Sequence, residues 1–198
     1  MRRRCSARSS EIHLKHLTPQ VLLEFDKSMA KEWENWAKFD AVVALTPEEV
    51  LMLPVEAKII GMRWVHTDKN GKMRVAGTKT ASLPVHAKSR CVVLGHREFV
   101  PDLRSDSPTA SLLGFNLVCT VISVNGWEAI FADADCAYLQ TGEIDRLLIL
   151  RAPEPPPPGV KRKQFFRAKG SIYGTKDAGR SWWKRLRKVL LVDWTVSS

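Results

Sequence analysis

The alternation of apolar and polar positions predicts four helices along this chain. Thr18 and the proline after it have the form of a helix N-cap, and apolar residues then recur every three or four positions, which predicts an amphipathic helix over residues 19–38. A short capped segment, a mainly apolar segment and a basic segment predict three further helices over residues 46–54, 110–124 and 178–191. Because the 110–124 segment is apolar on almost all sides, we expect that helix to be buried.

Short runs rich in β-branched and aromatic residues predict the strands. They cover residues 59–66, 72–75, 90–94, 128–132, 147–150 and 164–168. Asn70-Gly71 lies between the first two runs and predicts a tight hairpin, and residues 76–86 are predicted to form a loop. Helices and strands do not follow a regular βαβ alternation, so we expect an α+β fold in which an antiparallel sheet packs on helices.

Charge and composition narrow the class of partner. The 198 residues include 31 Lys and Arg against 21 Asp and Glu, a net charge of +10. Such a surplus favours a polyanionic partner, of which nucleic acid is the commonest, although a generically basic soluble protein would explain it equally well. No apolar run approaches the roughly 18 residues of a membrane span, so we expect no transmembrane helix. An anionic membrane surface is a weaker third option, because no basic amphipathic helix stands out, and we expect no membrane partner.

The cysteines do not have the spacing of a metal site. None belongs to a C-x-x-C pair, and no histidine accompanies them at ligand spacing; they are Cys5, Cys91, Cys119 and Cys136. We therefore interpret them as small buried residues of a reducing compartment, the cytoplasm or the nucleus, and we expect no zinc.

Asp133 is the first candidate for chemistry. It directly follows the predicted strand 128–132, and a buried strand would hold its carboxylate in a fixed position, as a divalent-cation ligand requires. An aspartate at this place is also typical of an ordinary polar strand end. Asp135 would lie several ångströms away along an extended chain and is a poor substitute.

Five segments, in the same order along the chain, resemble the reverse transcriptase of copia-type LTR retrotransposons. They are Met62-Arg-Trp-Val-His66 with Asp68-Lys-Asn-Gly71, Lys88-Ser-Arg-Cys-Val-Val-Leu-Gly95, Asp106-Ser-Pro-Thr109, Asp133-Ala-Asp-Cys-Ala-Tyr-Leu139 and Ile172-Tyr-Gly-Thr-Lys-Asp-Ala-Gly-Arg-Ser-Trp182. The resemblance covers roughly residues 29–191. It implies a reverse-transcriptase-like domain over residues 18–198, with fingers over 18–108 and a partial palm over 109–198.

Residues 1–17 are rich in arginine and serine and are predicted to be a disordered basic arm. A transit peptide has a similar composition, but Glu11 follows the basic stretch at once and the amphipathic pattern is poor. The disordered arm is therefore the favoured interpretation.

Carried over residue by residue, the resemblance implies a magnesium site and a phosphate site. Asp133 would bind both Mg²⁺ ions of a polymerase, with the carbonyl of Ala134 as a further ligand. Lys88 and Arg90 would neutralise the incoming triphosphate, and their spacing of two places both on one face of a strand. Two solvated charges on an exposed strand edge are the plain alternative for this pair.

The resemblance also implies contacts with the sugar and the template. Tyr138 would lie under the sugar and exclude a 2′ hydroxyl, although an aromatic core residue is an equally good interpretation from the sequence alone. Gly174 and Lys176 would lie in a turn that approaches the nascent base pair. Arg180 and the helix after it either contact phosphate or form a solvated face.

The chain departs from the family pattern at three positions of the last motif. Asp177 replaces a glutamine, Gly179 a proline and Thr175 a leucine. We expect Asp177 to face the nucleotide or the template and to repel phosphate, and Gly179 to loosen the start of the following helix.

The sequence thus predicts a fragment of an RNA-directed DNA polymerase. The complete protein would use two Mg²⁺ ions to add deoxynucleotides from dNTPs to a DNA primer on an RNA template. The family's Asp-Asp hairpin, the rest of the palm, the thumb and the RNase H region lie beyond the motifs present, so we expect the chain as given to be inactive. The alternatives are a non-catalytic, basic nucleic-acid-binding remnant, which would bind RNA–DNA hybrids through phosphate contacts, and a pseudogene product.

Overall fold

A computed structural model of the chain describes residues 11–98 and 100–193, with side chains up to residue 191. Its helices are α1 (Pro19–Lys38), α2 (Pro47–Leu51), α3 (Leu112–Val124) and α4 (Ala178–Lys188), the last continued by a π-helical turn, Val189–Asp193. Its strands are β1 (Val42–Ala44), β2 (Ile59–Asp68), β3 (Ala87–Val93), β4 (Ile149–Arg151) and β5 (Phe165–Ala168). Short 3-10 turns cover Leu14–His16, Lys79–Ser82, Gly95–Arg97 and Ala137–Gln140. A mixed sheet packed with helices confirms the predicted α+β class.

The five strands form one sheet in the order β1-β5-β4-β2-β3. The pairs are antiparallel except for β2 and β4, which run parallel. The long strand β2 joins the two halves, because Ile59–Gly61 pair with β4 and Met62–Asp68 pair with β3. Alternate β2 side chains are buried, as expected of a strand with one face on the core: Ile60, Met62, Trp64 and His66.

Helix α1 covers the β3 side of the sheet, and its predicted bounds are confirmed. Phe25, Met29, Glu32 and Trp36 are its buried residues, at the spacing of one helix face. Three of the four are large apolar side chains, whose burial stabilises the helix against the sheet. Glu32 is the exception, and its surroundings are described with the site.

The prediction of a hairpin at Asn70-Gly71 is wrong. Residues 72 and 73 belong to a turn and residues 74 and 75 have no regular secondary structure, and β2 pairs instead with β3, after a long loop over residues 69–86. The carboxylate of Asp68 closes this loop, since it accepts 2.9 Å hydrogen bonds from the backbone N–H groups of Asn70 and His86 and pairs with Arg74 at 2.6 Å. One side chain therefore binds the backbone at both ends of the loop.

The predictions for residues 110–132 are partly wrong. Helix α3 forms, but none of its residues is buried, and residues 127–134 have no regular secondary structure. Large apolar side chains are exposed throughout, namely Leu112, Leu113, Phe115, Leu117, Val118, Val124, Trp127, Ile130 and Phe131. The physical reason is a missing partner: in the described part of the chain no strand pairs with residues 128–132. An apolar sequence becomes buried only where another surface covers it.

The predicted basic arm is described only in its last residues, because residues 1–10, including Cys5, lie outside the described part. Glu11 forms a bridge with Thr67 and an ion pair with Arg63, and the Ile12 N–H donates to the His66 carbonyl at 2.8 Å. The first described residues of the arm, Glu11 and Ile12, thus contact β2. The domain boundary at residue 17 and the division into fingers and palm at residue 108 stay predictions. None of the helices within 11–98 and 100–193 is long and apolar enough to cross a membrane.

Candidate functional site

Strand β3 places Lys88 and Arg90 on one face. Ser89, Cys91 and Val93 are buried, whereas Lys88 is half-buried and Arg90 exposed, the alternation expected of a strand. Two cationic side chains thus project from the same side of the sheet edge. Their contact with a triphosphate stays a prediction.

The outer edge of β3 is closed by contacts from α1 and from the segment before α4. The Ser89 N–H donates to Ser28 Oγ at 2.8 Å, and the Val93 N–H donates to the Tyr173 carbonyl at 2.8 Å. Burial raises the pKa of the Glu32 carboxyl, and the N–H of Cys91, which lies between these two contacts, is one of the groups that oppose this rise. β3 is therefore held on both sides, by β2 and by these acceptors.

The turn that contains Gly174 touches the end of β3. Gly174 has φ of +93°, and a Cβ added there would lie 2.2 Å from the Val93 carbonyl oxygen. A Cβ added at Gly95 would lie 2.1 Å from the Gly174 carbonyl oxygen. Both positions need glycine, because the two backbones are in direct contact.

Tyr173 joins this turn to the other candidate residues. Its ring lies edge-to-face on that of Tyr138, with centroids 5.3 Å apart, and Arg90 Cζ lies 5.9 Å from its centroid. Burial raises the pKa of the Tyr173 hydroxyl, with smaller contributions from Cys136 and Glu32, so the ring stays neutral at ordinary pH. The structure therefore brings together Arg90, Tyr138 and the turn that carries Gly174, whose next residues include the exposed Lys176.

Asp133 does not lie where the sequence predicted. It is exposed in the irregular segment after α3, not at the end of a buried strand. Asp135 is exposed as well, and its Oδ1 lies 3.6 Å from the Cys136 thiol, which begins the next turn in the left-handed conformation. The strand failed to form because nothing described here pairs with it.

The residues present do not fit a two-magnesium site by themselves. The Asp133 carboxylate and the Ala134 carbonyl are oxygen donors of the kind that Mg²⁺ prefers. Two ions require more than one carboxylate, and within the described residues no three His, Cys, Asp or Glu side chains are grouped to hold a metal ion.

The expectation that Asp177 faces the nucleotide is wrong. Asp177 is buried, and both its carboxylate oxygens accept hydrogen bonds from Arg146, at 2.7 and 2.9 Å. Burial alone would raise the pKa of this carboxyl, but Arg146 outweighs burial and the pKa is lowered. The paired charge is thus directed into the protein, and its expected repulsion of phosphate disappears.

The other two departures also have structural explanations. Thr175 is buried, and its hydroxyl donates to the Ile172 carbonyl at 3.0 Å, which closes the turn. At Gly179 an added Cβ would lie 3.0 Å from the Cβ of Ser107, so the glycine permits close packing at the start of α4. Arg180 pairs with Asp106 at 2.6 Å.

Sequence reasoning missed Glu32, Arg146 and the central place of Tyr173. Tyr173 belongs to the Ile172–Trp182 motif, directly before the candidate residue Gly174, so the motif itself could have indicated it. Glu32 and Arg146 gave no signal, since a charged residue at a buried position looks the same in a sequence as one on a solvated face.

Comparison with known protein families gives one match. The family model described as reverse transcriptase (RNA-dependent DNA polymerase) matches residues 48–195, which is most of the chain. No curated protein and no solved structure matches the chain. The matched range includes β3, Tyr138 and the 172–176 turn, and on this evidence the chain belongs to the reverse transcriptase (RNA-dependent DNA polymerase) family.

Proposed function

We propose that the chain forms the fingers and the first part of the palm of an RNA-directed DNA polymerase from a copia-type retrotransposon. The complete protein would add deoxynucleotides to a DNA primer on an RNA template. The family match and the order of the five motifs support this proposal. A net charge of +10 suits the nucleic-acid partners.

One observation carries the proposal: three segments far apart in the chain meet where two of them contact Tyr173 of the third. β3 contributes Arg90, the turn over residues 137–140 contributes Tyr138, and the turn over 172–176 contributes Tyr173 itself. A nucleoside triphosphate carries a polyanionic chain and a sugar. The Arg90 cation beside the packed aromatic rings offers complementary groups for both.

In this proposal Lys88 and Arg90 bind the triphosphate through charge-assisted hydrogen bonds. Tyr138 lies under the sugar, where its ring leaves no room for a 2′ hydroxyl. Its edge-to-face contact with Tyr173 holds the ring in place. Gly174 and Lys176 approach the nascent base pair, and Lys176 is exposed, as a contact with nucleic acid requires.

Asp133 and the Ala134 carbonyl would supply part of the magnesium site. When bound, the two Mg²⁺ ions would neutralise the developing charge on the transferred phosphate. We propose that the remaining carboxylates come from polymerase segments outside these 198 residues. A primer-extension assay with Mg²⁺ or Mn²⁺ checks the consequence, that the isolated chain does not extend a primer; processive synthesis would contradict it.

The nucleotide site is tested by equilibrium binding of a fluorescent dNTP. Each charge-assisted hydrogen bond contributes about 1.5–3 kcal/mol, so Lys88→Ala/Arg90→Ala should weaken binding by at least about tenfold. The matched control is Lys69→Ala/Lys72→Ala, which removes the same charge from exposed positions of the 69–86 loop. Equal losses in the two double variants would show that only net charge matters, and would refute the site.

A further inference from the structure

We propose that Glu32 is a positioning residue, which holds the Lys88–Arg90 segment of β3 in place for triphosphate binding. This inference rests on the proposed function and deepens it. Glu32 is 3% exposed, on the face of α1 that packs against β3. Burying a carboxylate costs free energy unless polar groups surround it, so the neighbours of Glu32 indicate what its carboxylate does.

The first argument is geometric. β3 is the outermost strand of the sheet, and an outermost strand leaves alternate N–H groups without a ladder partner. Successive outward N–H groups lie about 6.6 Å apart along a strand, and residues four apart on a helix rise about 6 Å. A helix that runs along the edge can therefore offer one acceptor per turn to alternate strand residues.

The chain satisfies this spacing with Ser28 and Glu32. Ser28 Oγ accepts from the Ser89 N–H at 2.8 Å, and Glu32 follows one helical turn later among the buried residues of α1. The spacing places its carboxylate at Cys91, whose N–H opposes the rise that burial causes in the pKa of Glu32. The two amides flank Arg90. Helix α1 thus holds the backbone of β3 at the residues before and after Arg90.

The second argument is electrostatic. Burial raises the pKa of Glu32, and the charges of Lys88 and Arg90 oppose that rise, so the carboxylate attracts both cationic side chains. Trp36 Nε1 donates to Glu32 Oε1 at 3.4 Å and orients the carboxylate. A serine at this place would provide an acceptor but no attraction for the cations.

The inference is tested with inorganic tripolyphosphate as the probe and with amide hydrogen exchange of the folded chain. In Glu32→Ala, exchange at Cys91 should accelerate and the tripolyphosphate affinity should fall about tenfold, a change of about 1.4 kcal/mol. In Glu32→Gln the side-chain carbonyl still accepts a hydrogen bond, so Cys91 protection should stay and the affinity should remain above that of Glu32→Ala. This rescue distinguishes positioning from loss of charge.

Glu32→Asp keeps the charge but withdraws the acceptor by one methylene, and it serves where Glu32→Ala does not fold. It should accelerate Cys91 exchange and lower the affinity about threefold, whereas an affinity equal to that of the wild type per folded molecule would overturn the inference. Ser28→Ala is the neighbouring control. In this variant amide hydrogen exchange should accelerate first at Ser89, because the Ser89 N–H loses its acceptor.

A separate outcome concerns the proposed function. If Lys88→Ala/Arg90→Ala binds tripolyphosphate as the wild type does, the phosphate site itself is wrong. If that variant loses binding and every Glu32 variant keeps it, only the positioning role fails.

Discussion

The guanidinium of Arg146 donates hydrogen bonds to both carboxylate oxygens of Asp177, at 2.7 and 2.9 Å, and its Nε donates to Glu98 at 2.7 Å. One cation thus links the segment before β4, the segment after β3 and the start of α4. Both carboxylates are buried, and one oxygen of Glu98 has no hydrogen-bond partner within the described residues. The group therefore depends on Arg146 for its neutralisation.

We predict that Arg146→Met is strongly destabilising. The change leaves two buried carboxylates without their cation, and breaking a buried pair in this way costs about 3–5 kcal/mol. Urea denaturation measures the free energy of unfolding. The control is Arg162→Met, which removes an exposed pair with Glu154 and should cost less than about 1 kcal/mol. Similar small losses in the two variants would show that the Arg146 pairs contribute little.

Acid should weaken the contribution of Asp177. Its pKa in the folded chain lies below the ordinary value of 3.8, because Arg146 outweighs the effect of burial. The ionised form therefore stabilises the fold above about pH 4, and this contribution is lost as the pH falls through the lowered pKa. The stability gap between wild type and Asp177→Asn should be largest at pH 7 and shrink between pH 5 and pH 3.

Unfolding free energies at pH 7, 5 and 3 check this prediction. Asp102→Asn is the control, since it makes the same substitution at an exposed aspartate. A gap between wild type and Asp177→Asn that is constant with pH would mean that the carboxylate charge is not what stabilises this site.

The elements that local patterns specify were predictable. Helix α1 follows from the Thr18-Pro19 start and the recurrence of Phe25, Met29 and Trp36, all of which are local features. The Asn70-Gly71 hairpin failed because Asp68 binds Asn70 and also His86, a partner that no short window contains. Burial of α3 failed for a related reason: it depends on a covering surface, which the apolar pattern does not supply.

The site was predictable to the same degree. A spacing of two is enough to place Lys88 and Arg90 on one face of a strand. The contacts that complete the arrangement join residues far apart, as between Arg90 and Tyr173 or Arg146 and Asp177. Asp177 shows the consequence most clearly, since the motif predicts its position in the chain but not the arginine that turns it inward.

The exposed helix gives a prediction about packing. Leu113 is 80% exposed on α3, whereas Leu150 in β4 is fully buried. Leu113→Ala should change the free energy of unfolding by less than about 0.5 kcal/mol, and Leu150→Ala should cost about 2–5 kcal/mol. Urea denaturation of both variants measures the contrast. A large loss for Leu113→Ala would show that another surface covers α3 in solution.

Gly174→Ala should be destabilising by about 3 kcal/mol. The left-handed backbone costs an L-residue about 1–2 kcal/mol, and a methyl group 2.2 Å from the Val93 carbonyl adds overpacking of about 1–3 kcal/mol. Gly77→Ala is the matched control, because Gly77 also has a positive φ, of +78°, but an added Cβ there meets nothing within 4 Å. Gly77→Ala should therefore show the backbone cost alone, about 1 kcal/mol. The difference between the two unfolding free energies measures the contact between the 172–176 turn and the end of β3, and equal losses would show that the two backbones do not touch.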